Sequence, residues 1–158
     1  MSTKISTLEM IIAHLRSQSS AIDKAQEERL EAMREAETRN QSRYDTKGWE
    51  AAREAEGIEQ LRSTLQLQQK FFLECLRRER SQMDGVQRDK IVSGTLIQLT
   101  HEDRGSKWIF LVGCPGGIDV DGVIIVSVAA PVGRLIINKA IGSTVQLPEG
   151  KYRVAQIL

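Results

Sequence analysis

The residues best suited to chemistry are concentrated in a joint between two helical patterns. Residues 40–54 read NQSRYDTKGWEAARE and set one acid, Asp45, among the bases Arg43 and Lys47. The carboxylate of Asp45 can cap the helix that follows, with Thr46 as the competing cap. Arg and Lys suit carboxylate and phosphate partners, but they can equally be solvated in a loop. The joint is therefore either an ordinary turn or a tip that contacts another molecule.

Cysteine and histidine, two other residue types that often do chemistry, are sparse. Cys75 and Cys114 are too few for a disulfide framework or a four-ligand metal site, and we expect both to be reduced structural thiols. His14 lies on a helical pattern, and His101 lies beside two acids in a predicted turn. Neither histidine has a second one nearby, so we expect no metal or cofactor of the chain's own.

The composition gives no overall electrostatic reason to bind nucleic acid or a membrane. The 158 residues include 22 Lys and Arg against 21 Asp and Glu, a net charge of +1. No apolar run is long enough to span a bilayer, and the start, MSTKISTLEM, lacks the apolar core of a secretory signal. We expect a cytoplasmic protein without a membrane partner, in which any electrostatic function is local.

The chain divides into two halves of different composition. Residues 1–84 contain no proline and only two glycines, and they are rich in Glu, Arg, Gln and Ala, most of which are good helix formers. Residues 85–158 hold the other ten glycines, all three prolines and β-branched runs such as GVIIVSV. We therefore predict a helical domain over 1–84, with its tip near 40–48, and a second domain over 85–158.

Apolar residues in the first half recur at alternating spacings of three and four, which indicates the seams of a coiled coil. The first seam contains Ile5, Leu8, Ile12, Leu15, Ser19 and Ile22 and, after a slip, Leu30, Met33 and Glu37. The second contains Ala51, Ala55, Ile58, Leu61 or Arg62, Leu65, Gln68, Phe72 and Cys75. Two segments of similar length with a short joint must be antiparallel neighbours. The prediction is an antiparallel coiled-coil hairpin that projects about 55 Å, in a register that the polar interruptions leave open.

The second half alternates strand patterns with turns. Four strands are predicted, in the segments IVSGTLIQLT, WIFLVG, GVIIVSV and KYRVAQIL. CPGGIDVDG is read as a loop, and a short helix is predicted from Val132 to Asn138. The stretch GCPGG lacks the spacing and the Lys-Ser/Thr of a phosphate-binding loop. The expected fold class is α+β, a small antiparallel sheet with one short helix packed on it.

Residues 130–145, APVGRLIINKAIGSTV, resemble part of the bacterial Gre transcript cleavage factors. In that family a helix beginning Ser-Pro-[Ile/Leu]-[Ala/Gly] leads to a Gly-Asp-x-Val segment before the last strands. Four positions match, namely Pro131, Gly133, Gly142 and Val145. Three positions differ: Ala130, Asn138 and Ser143 replace the family's Ser, Gly and Asp.

The hairpin joint carries the second similarity to this family. The family's tip reads approximately Asn-Gly-Asp-Leu-x-Glu-Asn-Ala-Glu-Tyr-x-Ala-Ala-[Lys/Arg]-Glu, and residues 40–54 align with it without a gap. The identical positions are Asn40, Ala51, Ala52, Arg53 and Glu54. Trp49 takes the place of the family's aromatic residue, and Asp45 falls on an acidic Glu. With the same order of domains, the resemblance covers essentially the whole chain.

The resemblance implies a fold, a partner and a role. In the Gre family the hairpin enters the secondary channel of RNA polymerase core, while a C-terminal domain with an FKBP-like fold docks near the channel mouth. The tip acids help to hold a second Mg²⁺ at the polymerase's own active site, next to the RNA 3′ end, and stimulate hydrolysis of RNA that has backed out of register. A member of this family is expected to be a monomer that is not itself an enzyme and has no cofactor of its own.

Carried over to this sequence, the resemblance implies a role for individual residues. Asp45 is the expected residue that assists the polymerase-held Mg²⁺, with a weaker contribution from Ser42. The expected partner contacts are Asn40, Arg43, Tyr44, Lys47, Pro131, Gly133 and Arg134.

The tip departs from the family in its charge. Ser42 and Gly48 stand where the family has acids, so Asp45 is the one tip carboxylate. Arg43 and Lys47, together with Arg39, lower the local attraction for a divalent cation. We expect weak or altered transcript cleavage.

Three other functions compete with cleavage. A regulator would keep the docking and the rod but use the basic tip to occlude the channel. A coiled-coil scaffold would dimerise and have no link to transcription. Prolyl isomerase activity is the weakest alternative, because such sites need an aromatic-lined pocket and the second half offers only Trp108, Phe110 and Tyr152.

Overall fold

The computed structural model describes residues 3–39, 47–81 and 88–158, with side chains for all of these except 36–39 and 47–50. Its elements are α1 (Thr3–Arg39), α2 (Lys47–Ser81), β1 (Leu96–His101), β2 (Gly105–Val112), β3 (Ile118–Val120), β4 (Val123–Ser127), α3 (Pro131–Ile136), β5 (Thr144–Leu147) and β6 (Gly150–Ile157). The predicted fold class is confirmed: a long helical hairpin precedes a mostly antiparallel sheet with one short helix. The predicted boundary at 84–85 lies outside the described residues, so the division into two domains stays a prediction.

Helices α1 and α2 form an antiparallel pair whose register follows from four cross-helix contacts. These are Lys4 with Glu79, Leu15 with Gln69, Asp23 with Arg62, and Arg29 with Glu54. The partner on α2 moves back along the chain as the residue on α1 moves forward. The interrupted seams left this register open in the sequence. In the structure it is set by polar contacts beside the seam together with the apolar residues of the seam. Neither described helix is both long and apolar enough to cross a membrane.

The sheet has six strands in the order β3-β4-β2-β1-β6-β5. Four neighbouring pairs are antiparallel, and β2 pairs with β4 in parallel. A loop was predicted for CPGGIDVDG, but Ile118–Val120 within it forms the short edge strand β3. Because β3 runs back along the outside of the sheet, β4 returns between β3 and β2 and runs parallel to β2.

The two faces of the sheet are covered by different elements. Leu96, Phe110 and Ile125 point toward the base of the hairpin and form one apolar core with Leu8 and Phe72. On the opposite face, a second core surrounds α3 and contains Ile97, Leu99, Ile109, Leu111, Ile136 and Val154. This division follows from the alternation of side chains along each strand, since successive residues point to opposite faces. The hairpin base is therefore one of the two layers that cover the sheet.

The short helix α3 ends earlier than predicted. The sequence predicted a helix from Val132 to Asn138, whereas the helix runs over Pro131–Ile136. Pro131 occupies the first turn, where its missing N–H is not needed. Asn138 has a φ of 64° and donates its backbone N–H to the carbonyl of Ile91 at 2.8 Å. The helix stops because this left-handed residue turns the chain away to pair with the segment before β1.

Gly133 is buried where α3 crosses the end of β4. A Cβ atom at this position would lie 2.0 Å from the carbonyl oxygen of Ser127 and 3.0 Å from the Cα of Val128. Both neighbours are backbone atoms, which cannot swing away as the end of a side chain can. Glycine is therefore needed here for close packing.

We predict that Gly133→Ala destabilises the protein by about 3 kcal/mol, because the added methyl group overpacks two backbone segments. The matched control is Gly57→Ala on α2, where an added Cβ meets nothing within 4 Å and alanine is the better helix former. Urea denaturation followed by circular dichroism gives both midpoints. A Gly133→Ala midpoint equal to that of the parent would contradict the packing role.

A buried ion pair closes the hairpin base. Lys4 is 2% exposed, and its ammonium group donates to Glu79, which also lies 3.9 Å from Arg88. Burial lowers the pKa of Lys4 below its usual 10.5, and the hydrogen bond from Lys4 to Glu79 opposes that shift. Between the lowered pKa and 10.5, the unfolded chain holds more protons on this group than the folded one, so the contribution of Lys4 to stability rises with pH there.

We predict opposite effects from removing one partner of this pair and from replacing both. Glu79→Gln should destabilise the fold by about 3 kcal/mol, because it leaves a buried ammonium without its carboxylate. The double variant Lys4→Met with Glu79→Leu should be neutral or stabilising by up to about 4 kcal/mol, because it removes both charges and the cost of burying them. Urea midpoints at pH 7 measure both changes. Equal losses in the two variants would mean that the attraction within the pair, and not the cost of burying its charges, dominates its energetics.

Candidate functional site

Most residues of the predicted tip site lie outside the described part of the chain. These are Asn40, Ser42, Arg43, Tyr44 and Asp45. Lys47 is the first residue of α2, but its side chain is among those not described. The roles of all six residues stay predictions. The structure describes the two helices that precede and follow the tip segment.

Those helices bring the tip segment to the end of a long rod. Helix α1 ends at Arg39 and α2 begins at Lys47, so residues 40–46 connect the two ends farthest from the sheet. Beyond Leu15 on α1 and Leu65 on α2, none of the described hairpin side chains toward the tip is buried. The 24 residues from Leu15 to Arg39 correspond to about 36 Å of helix. The helix ends at Arg39 and Lys47 therefore lie well clear of the sheet.

The predicted contact residues on α3 have different surroundings. Pro131 and Arg134 are exposed, whereas Gly133 is buried under the backbone of β4. Leu135 is also exposed, at 45%, and with Pro131 and Arg134 it forms the outward side of the helix. Leu135 was not predicted from the sequence, although an apolar residue four positions after Pro131 and next to Arg134 was a usable signal. We name Pro131, Arg134 and Leu135 the α3 surface.

A hydrogen bond from Gln68 connects the hairpin to the loop after β2. The Gln68 side chain is buried in the seam and donates to the carbonyl of Pro115 at 2.8 Å. The neighbouring Cys114 packs against the core shared by the hairpin and the sheet. Burial raises the pKa of the Cys114 thiol to about 11 and also raises that of Cys75. Both thiols are free, and both are protonated and therefore poor nucleophiles at neutral pH.

The three aromatic residues considered for an isomerase pocket do not converge. Phe110 is buried in the core on the hairpin side of the sheet, and Tyr152 is buried in the core on the α3 side. Trp108 is half-buried on the same face as Phe110. Since the sheet separates Tyr152 from the other two rings, these residues do not line one pocket.

A polar cavity of about 640 Å³ lies where β1 ends and β6 begins. Its lining includes the cations Lys151 and Arg153 and the acids Glu102 and Asp103. The two signs balance, so charge does not select one class of ligand. Within the described ranges, no group of three His, Cys, Asp or Glu side chains is placed to hold a metal ion.

Comparisons with known proteins give matches among solved structures only. No protein-family model matches the chain, and no curated protein does. GreA factor homolog 1 of Thermus thermophilus is 18% identical, with a TM-score of 0.39, over 98% of this chain and 94% of that one. Gfh1 of Thermus aquaticus is 19% identical, with a TM-score of 0.37, over 96% and 92%. The transcription elongation factor GreA/GreB from Nitrosomonas europaea is 21% identical, with a TM-score of 0.36, over 44% and 60%.

These solved structures are all Gre-type or Gfh1 transcription factors, and the alignments with Gfh1 run along nearly the full chain. At such identities and TM-scores the likeness carries no residue roles across. The function of this chain has to be argued from its own residues.

We predict that Cys114 is alkylated slowly in the folded protein at pH 8. With a pKa of about 11, its thiolate population is about 100-fold lower than that of a thiol at the usual 9, and partial burial slows attack further. Iodoacetamide labelling with mass spectrometry, at pH 8 and pH 10, follows Cys114 and Cys75 on separate peptides. The protein in urea is the control, and equal rates in the folded and urea-unfolded states would contradict the prediction.

Proposed function

We propose that the chain is a Gre-like transcription factor that binds RNA polymerase core, inserts its hairpin into the secondary channel and supports transcript cleavage in backtracked complexes. The observation that carries the proposal is the rod, which extends about 36 Å beyond its last buried seam residue and leads to the segment that aligns without a gap on the Gre tip. A narrow, charged rod of two helices is suited to enter a pore, whereas a compact domain has no need of such a long projection. In this role the chain acts in the cytoplasm as a monomer and is not itself an enzyme.

The α3 surface is the proposed docking contact outside the channel. Pro131 and Arg134, which the sequence resemblance selected, are both exposed, and Leu135 adds an apolar centre beside the guanidinium group. Gly133 contributes indirectly, because its missing side chain lets α3 lie close against β4. A mixed apolar and cationic patch of this kind fits a partner surface that is acidic around an apolar spot.

The tip contributes one carboxylate. Mg²⁺ in phosphate chemistry is commonly held by one or two carboxylates together with waters and phosphate oxygens, so a single acid from this chain is chemically compatible with an ion that the polymerase already holds. When bound, such an ion supplies a polarising charge at the RNA phosphate. Asp45 is the acid proposed for this contact, and Ser42 adds a hydroxyl without charge.

A second candidate keeps the docking but omits the chemistry. The tip has one acid amid Arg39, Arg43 and Lys47, a balance that opposes recruitment of a divalent cation. A factor with this tip would occlude the channel and regulate transcription while leaving the RNA intact. Polymerase binding is common to both candidates, and RNA cleavage separates them.

We predict that the protein shortens the RNA of a backtracked elongation complex and that Asp45→Ala lowers the cleavage rate at least about tenfold. Ser42→Asp should raise the rate, most clearly at low Mg²⁺, because it restores a second charge. Gel analysis of labelled RNA at several Mg²⁺ concentrations measures the rates. Glu102→Ala, which removes an exposed acid in the β1–β2 turn, is the matched control and should behave as the parent.

The outcomes separate the candidates. Binding to polymerase core without cleavage by either the parent or Ser42→Asp would favour the regulator. Cleavage that persists at the parent rate in Asp45→Ala would remove Asp45 from the mechanism. No binding to polymerase core, together with sedimentation as an elongated dimer, would overturn the proposal in favour of a scaffold.

A further inference from the structure

One face of α1 changes its surroundings between the base and the tip of the hairpin. Ile12 and Leu15 are 4% and 0% exposed, whereas Leu30 and Met33 are 51% and 46% exposed. Leu30 lies 18 residues after Ile12, and Met33 lies 18 residues after Leu15. Because 18 residues make five helical turns, all four side chains share one face of the helix. The same kind of residue on the same face is thus buried near the sheet and about half exposed roughly 27 Å farther along.

The facing helix explains the difference. Near the sheet, α2 contributes the buried Leu65 and Phe72, and the sheet closes over both helices. Toward the tip, the contact between Arg29 and Glu54 places Leu30 and Met33 opposite the part of α2 that contains Ala51 and Ala55. An alanine methyl group is too small to cover a leucine or methionine side chain, and no element of the described part of the chain covers them as the sheet covers the base. On α2 itself, Leu61 is 49% exposed.

Exposed ion pairs are the main cross-links described in this outer part. Arg29 with Glu54, and Arg62 with Asp23, connect the helices, while Lys24 and Glu28 pair along α1. Such surface pairs add little stability, because water screens them and ordering the side chains costs entropy. Gly57 weakens α2 further, since glycine is unfavourable inside a helix. Two helices that bury so little apolar surface are marginal without support.

The inner part of the hairpin has that support. Its seam residues belong to the core shared with the sheet, and Lys4 with Glu79 and Gln68 with Pro115 add buried polar contacts. Opening this part would expose the sheet face as well, so its stability is tied to that of the whole fold.

We infer that the hairpin consists of two units of unequal stability. The inner unit, residues 3–19 and 64–81, unfolds together with the sheet. The outer unit, residues 20–39 and 47–63, opens on its own while the inner unit and the sheet remain folded. This inference concerns the free chain and does not rest on polymerase as the partner. A binding site at the tip would therefore be carried on the less stable unit, and a partner that encloses the rod would gain by ordering it.

Hydrogen exchange of the full chain, followed by mass spectrometry, tests the division. We expect amides in 20–35 and 51–63 to show protection factors at least tenfold lower than amides in 5–18 and 65–78. Equal protection in the two units would overturn the inference, because it would mean that the hairpin and the sheet open as one.

Two mild variants sharpen the test. Ile12→Val weakens the inner core, so it should lower protection of the inner unit about two- to tenfold with little effect on the outer amides, which exchange while the inner unit stays folded. Gly57→Ala stabilises the outer unit, so it should raise protection of the outer amides about two- to fivefold. The inner amides should rise by the same factor, because they exchange from the fully unfolded chain, in which the outer unit is unfolded too. Losses of equal size in both units of Ile12→Val would refute independent opening.

Discussion

One constraint organises this molecule: the apolar face of the sheet that carries Leu96, Phe110 and Ile125 has to be covered, and the hairpin base is what covers it. Two paired helices have only a narrow stripe to bury against each other. By lying on the sheet, the first turns of α1 and the last turns of α2 bury a second stripe and complete a two-layer core. The hairpin is thereby held in place at one end, and its other end extends away from the sheet.

This arrangement separates the tasks of the chain along its length. The base holds most of the buried hydrophobic side chains of the hairpin, a buried ion pair and the bond from Gln68 to Pro115. The outer rod has exposed charges and half-exposed apolar residues. Such a surface suits a segment that extends from the fold and contacts another molecule. Its tip segment then needs no pocket or metal cage of its own for the proposed role, since the chemistry would belong to the partner. The single acid among bases is the feature that decides between a cleavage factor and a regulator.

Many features of the fold followed from local pattern, and the exceptions have physical reasons. The hairpin was predictable because apolar residues recur at coiled-coil spacing over two segments without a breaker, and β1, β2, β4 and β6 were predictable from their β-branched and apolar runs. Both edge strands were missed, Ile118–Val120 and Thr144–Leu147. Each is a run of only three or four residues close to glycine or proline, and such a short run looks like a loop. Helix α3 was predicted two residues too long because nothing local shows that Asn138 will turn to pair with Ile91. For the candidate site, the family resemblance selected Pro131, Gly133 and Arg134, but the sequence could not show that Gly133 is buried.

The sequence by itself determined where the two long helices and four of the six strands lie, that the helices pair with each other, and that one acid stands at their joint, because these depend on residue type and periodicity. Tertiary structure alone decided the register of the hairpin, the parallel pairing of β2 with β4, and the covering of one sheet face by the hairpin base. It also decided that Ile12 and Leu15 are buried while Leu30 and Met33, on the same helix face, are not. Burial depends on what lies opposite a side chain in space, and the residues opposite come from distant parts of the chain.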